Sequence, residues 1–201
     1  MASVIEICNL ALSHLGDTAT VASINPPEGS AQAEHCARFY PMARDALLEM
    51  HNWKFATRRA QLAQLDVETW SWPYAYAKPA DALKIISVLP VSAGSDADSV
   101  DYEFECSADG VPLILTNAEE ASLRYIALVT DTTTFSPLFT MALSWQLASM
   151  LAGPILKGDV GAAEAKRCLA TAQGFLARAA VEDANQRKVT PVHTPAWMAG
   201  R

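Results

Sequence analysis

The chain has 201 residues, 51% of them apolar and 18% charged, with a formal net charge of −7. A chain this apolar buries a real core, which excludes a disordered protein, and its length fits one medium domain or a core with an insertion. The acidic balance excludes a generic nucleic-acid binder, whose affinity comes from neutralising phosphates.

Ser3 and Glu6 form a capping box, and apolar residues at helical spacing predict a helix over 4–15, closed by Gly16. Residues 17–30, rich in Pro, Gly and Ser, read as a loop. A second helix starts near Ser30, with Ala33, Cys36, Ala37, Tyr40, Ala43, Leu47 and Met50 on one stripe. Arg44 falls off that stripe. Pro41 removes one backbone bond, which predicts a kink and not an end. From residue 53 the period becomes two. Trp53, Phe55 and Thr57 alternate with Lys54, Ala56 and Arg58, as in a strand, with both rings on one face. WSWPYAYAKPADA (70–82) has two prolines and four aromatics and reads as a loop lying flat on the core. LKIISVLPV, YEFEC, VPLILT and ASLRYIALV read as strands, with turns at 94–99 and Asp109-Gly110. Ser136-Pro137 opens a third helix that Gly153-Pro154 stops. Gly158-Asp159 opens the last, about 160–186, with Leu169, Ala172, Leu176 and Ala179 on one face. RKVTPVHTPAWMAGR reads as an extended tail.

The expected fold is α+β, mainly α. The N-terminal two helices and the C-terminal two form a helical bundle, with a β-rich middle lobe and an extended C-terminal tail. The divisions are 1–52 and 132–186 for the two halves of the helical core, 53–131 for the β-rich insertion and 187–201 for the tail. Pro41, Trp53, Phe55 and Trp145 are the expected structural core and hinge residues.

The chain carries no nucleotide-binding, P-loop, zincin or nucleophile-elbow motif. Cys8, Cys36, Cys106 and Cys168 form no CxxC pair and read as small buried hydrophobes in a reducing compartment. His35 and Cys36 are adjacent on a helix and point about 100° apart, so they cannot act together as base and nucleophile. DADSVD (96–101) lacks the glycine and terminal glutamate of a calcium loop and reads as a solvated acidic turn. Asp81 reads as a cap or a surface charge. No cofactor, metal or catalytic set is expected. The N-terminus lacks a signal sequence, and no apolar window reaches transmembrane length.

Two features point to partners. Residues 94–131 hold nine acids and one base, Arg124, whereas residues 186–201 hold Arg187, Lys188 and Arg201 and no acid. The tail also carries Val189, Val192, Trp197 and Met198, and tryptophan is a common interface anchor. HNWKFATRRAQLA (51–63) interleaves aromatics and arginines, which suits either nucleic acid or a packed element. Its alternation favours packing, with one of Arg58 and Arg59 reaching an acid and the other meeting water.

CNLALSHLG (8–16), CARFYPMARDALLEMHNWKFATRRAQLA (36–63), WSWPYAYAKPADALKI (70–85) and LRYIALVTDTTTFSPLFTMALSWQLASMLAGPI (123–155) together resemble the tail tubular protein A, or head-to-tail adaptor, of tailed bacteriophages. The likeness runs from residue 3 to about 186, and 36–63 is its most specific part. It implies a structural subunit and not an enzyme, in the virion at the head–tail junction and in the host cytoplasm during assembly. Such subunits form a ring, a dodecamer, beneath the portal protein. The ring extends the DNA channel, offers a platform to tail or nozzle proteins, and touches no membrane. The resemblance places portal binding on Arg187, Lys188, Val189, Val192, Trp197 and Met198. Asp96, Asp98 and Asp101 are candidate channel-lining acids, which would repel DNA as it passes without sequence-specific binding. The alternative is a virion-associated cell-wall hydrolase or other small enzyme.

Overall fold

A computed structural model describes residues 2–186 of the chain. The first helix, α1 (Val4–His14), starts as its sequence dictates. The Ser3 hydroxyl accepts the Glu6 N–H at 3.2 Å and the Glu6 carboxylate accepts the Ser3 N–H at 2.6 Å. It ends at Gly16, whose φ of +76° lets Gly16 and Asp17 donate back to Ser13 and Leu12. Helix α2 (Ala31–Met50) is capped by Ser30 and runs through Pro41 as one element, with the proline on its exposed side. Its stripe differs from the expected one, and Leu48 is fully buried beside it. Met50 is exposed and Arg44 is buried, where it pairs with Asp45 at 2.7 Å.

Trp53 to Ala56 do not form the expected strand. They make a turn, with Ala56 N–H donating to Trp53 C=O and Thr57 N–H to Lys54 C=O. Strand β1 begins only at Thr57 (Thr57–Gln61). It is followed by β2 (Gln64–Leu65), β3 (Tyr74–Ala77), β4 (Ala82–Pro90), β5 (Tyr102–Cys106), β6 (Pro112–Thr116) and β7 (Ala121–Ala127). Tyr74–Ala77, expected as loop, is thus a strand. Its flanking prolines, Pro73 and Pro79, lie outside the paired residues and cost no ladder bond.

The strands form two antiparallel sheets, ordered β1-β7-β4 and β2-β3-β6-β5. Period-two patterning sets their faces. From β7, Leu123, Tyr125 and Ala127 meet Tyr76 and Ile114 of the second sheet, whereas Ile126 points the other way, into the helices. The first sheet is therefore sandwiched between helical core and second sheet. The outer face of the second sheet carries Ala75, Leu113 and Leu115 under Leu65 and Trp72.

After a 3-10 turn (Thr132–Thr134) come α3 (Pro137–Leu156) and α4 (Gly158–Asn185). Pro154 does not stop α3, which runs to Leu156. The break is at Lys157 and Gly158, both with φ of 57°. Contrary to the sequence expectation, α3 is long and apolar enough to cross a membrane. Here Phe139, Leu143, Leu147 and Leu151 are fully buried, and α3 packs on α1, α2 and α4. The inward stripe of α4 is Gly161, Cys168, Ala172, Ala179 and Asp183, spaced by seven and four. Leu169, expected on that face, is exposed. Small residues let the two helices close in: a Cβ at Gly161 would stand 2.8 Å from the Ala152 carbonyl oxygen. The architecture is mixed α+β, with four helices and two antiparallel sheets.

Candidate functional site

The stretch 51–59 joins helices to sheets, and its residues divide between packing and charge. Trp53 is fully buried and donates its indole N–H to the Leu47 carbonyl at 2.8 Å. Its ring meets Phe139 edge-on at 5.0 Å and lies 5.8 Å from Phe55, which in turn touches Phe135 and Phe139. The two rings share one cluster as the alternation predicts, although a turn and not a strand brings them there. The buried carboxylate of Asp183, near the end of α4, accepts the Lys54 N–H at 2.9 and 3.1 Å. His51 Nε2 lies 3.5 Å from the same carboxylate. The Lys54 N–H is thus matched by a carboxylate 129 residues away, a pairing that no local pattern reveals.

Both arginines find acids. Arg58 pairs with Asp81 at 3.0 Å, and Asp81 also accepts the Tyr125 hydroxyl at 3.1 Å. Arg59 pairs with Asp96, which holds Arg124 at 3.0 Å as well. The expectation that one arginine meets only water is therefore corrected, and Asp96 is not part of a merely solvated turn. Asp98 and Asp101 are exposed. Asp98 accepts the Ser95 N–H at 2.8 Å and so shapes the turn.

Trp145 belongs to a layered contact among three helices. Its ring stacks on His14 at 3.6 Å and 5°, and the Arg167 guanidinium lies over it at 5.3 Å. His14 Nε2 is 3.1 Å from the Ser144 hydroxyl. Burial, aided by the nearby Arg167 charge, holds the His14 imidazole below its ordinary pKa.

Among the described residues, the remaining histidines and cysteines form no catalytic or metal-binding set. His35 stacks beside Phe39 on α2, while Cys36 is buried. The neighbouring Cys36 thiol, with burial, pushes the Cys8 thiol well above its usual range, so Cys8 stays protonated and unreactive. Cys106, expected to be buried, is exposed on the edge strand β5. Among the described residues no three His, Cys, Asp or Glu side chains group as metal ligands. A cavity of about 410 Å³ lies between residues 67–72 and the outer face of the second sheet. Arg187, Lys188, Val189, Val192, Trp197 and Met198 lie outside the described residues.

Comparison with protein-family models gives no match, and comparison with curated proteins finds no similar sequence.

Proposed function

We propose that the chain is a head-to-tail adaptor subunit of a tailed bacteriophage. In this reading α1 and α2 bundle with α3 and α4, and the β-rich lobe and extended tail reach to neighbours. Copies form a dodecameric ring beneath the portal protein, extend the DNA channel and seat the tail or nozzle protein. The subunit catalyses no reaction, and the site of action is the head–tail junction of the virion, reached from the host cytoplasm.

The observation that carries the reading is the likeness of residues 36–63 to that family. The structure supports its importance by giving Trp53 and Phe55, inside this stretch, the joint between helices and sheets. Charge supports it too. Asp98 and Asp101 are the exposed carboxylates of the acidic loop, since Asp96 is engaged by two guanidiniums. Uncompensated acids avoid the counterion-release affinity that would make passing DNA stick. Arg187, Lys188, Val189, Val192, Trp197 and Met198 are assigned to the portal.

The test is to mix the full chain with the purified portal of its phage and image the product by electron microscopy. A ring seated on the portal, lost on deletion of residues 187–201, is expected. A portal that stays bare beside well-folded full chain overturns the reading.

A further inference from the structure

Trp70 stands 101% exposed on residues 67–72, the segment that straps the outer face of the second sheet. Beneath the strap lies the cavity of about 410 Å³, floored by Leu113 and Leu115 and walled by Glu68, Trp70, Trp72 and Glu105. Glu103 is occupied, accepting the Trp72 indole N–H at 2.9 Å. Glu68 and Glu105 are exposed and have no ion pair among the described residues. An open tryptophan face, two unpaired carboxylates and an apolar floor suit a cationic side chain with an apolar neighbour.

The chain itself supplies such a segment in Arg187, Lys188 and Val189, the start of a stretch of 15 residues with three bases and no acid. Within one subunit these residues cannot reach the pocket. The end of α4 is fastened to Lys54, on the helical side of the first sheet. The pocket lies beyond both sheets, at roughly 10 Å per layer, whereas the three residues from Gln186 to Val189 span at most about 10 Å.

We propose that this pocket receives Arg187, Lys188 and Val189 of a second copy. The helical end of one subunit then meets the β end of the next. Such a heterologous contact closes into a ring or runs on as a filament. This rests on the ring reading and deepens it by naming a contact between neighbours; it takes Arg187, Lys188 and Val189 out of the portal assignment and leaves Val192, Trp197 and Met198 for the portal.

The test is sedimentation velocity on the full chain without portal, at low salt, up to roughly 100 μM. The wild-type chain self-associates, less so as salt rises. Glu68→Gln with Glu105→Gln empties the pocket of charge, and Arg187→Gln with Lys188→Gln neutralises the tail. Each pair of changes weakens association by about tenfold or more. A mixture of the two variants keeps one good tail and one good pocket, so it forms a one-to-one dimer and nothing larger. A wild-type chain that stays monomeric throughout, variants that associate as wild type does, or a mixture without dimer overturns the proposal. Rings on the portal that persist with the glutamine variants would sink this contact while leaving the adaptor reading intact.

Discussion

Arg59 and Arg124 stand directly opposite each other on β1 and β7, two like charges at one cross-strand position. Asp96 makes this arrangement tenable by reaching both guanidiniums from the loop after β4. Asp96→Asn should therefore cost more than one partly exposed ion pair, because it leaves the two arginines facing each other. The expected loss is about 1–2 kcal/mol, or roughly 2–8 °C in melting temperature for a chain of this size. Adding Arg59→Gln should restore part of it. Thermal melts of the single and double variants check this, and equal melting temperatures for both would contradict the charge account.

Asp183→Ala should strand the Lys54 N–H inside the joint, at a cost of about 1–3 kcal/mol. Asp183→Asn keeps one acceptor oxygen and should lose less. Urea unfolding of both variants gives the comparison. Equal losses would mean that packing of α4, and not the hydrogen bond, sets the effect.

Trp53→Ala removes a fully buried ring that three aromatic neighbours surround. It should cost about 3–5 kcal/mol, with the urea midpoint falling and the slope unchanged. A variant of native stability that had lost only DNA contact would return this stretch to a nucleic-acid role.

Gly161→Ala brings a methyl group to 2.8 Å from a backbone oxygen of α3, and neither partner is a flexible side-chain end. The helices must part locally, and about 1–3 kcal/mol should be lost despite alanine's better helix propensity. Gly174→Ala in the same helix meets nothing and should be neutral or stabilising. Melting the two variants side by side separates crowding from propensity.

His14 gives the fold a pH dependence of known sign. Its folded pKa lies below the ordinary 6.5. Between the two values the unfolded chain binds a proton that the folded chain does not, so stability rises with pH across that window. Below the folded value the loss is complete, and above 6.5 the contribution is flat. His14→Gln should flatten this part of the profile of urea midpoint against pH. A difference between wild type and variant that does not change with pH would assign the Trp145 stack, and not the proton, as what matters.

Element boundaries were legible wherever local chemistry decides them. Ser3, Gly16, Ser30 and the Ser136-Pro137 pair mark helix ends by caps that work within four residues. The misreadings lie where distant partners decide. Residues 53–56 turn with the Lys54 N–H taken up by Asp183, 129 residues away, and period-two alternation cannot register that. The prolines around Tyr74–Ala77 advertised a loop although both flank the strand. Trp70 was expected against the core, yet it stands in solvent, since aromatic content says nothing of which side of a sheet a segment crosses. Of the candidate residues, the shared packing of Trp53 and Phe55 was readable from spacing. The pairing of Asp96 was not, because its two arginines come from strands far away in sequence.

The clamp between Asp183 and Lys54 also has a mechanical side. A pull on the chain at residue 187 meets this carboxylate one turn upstream and passes to a backbone group 129 residues away. Tension on the C-terminus is thus taken up by the middle of the chain, at the root of β1, and does not peel α4 from its free end. A subunit built this way bears load at its end in shear across two elements.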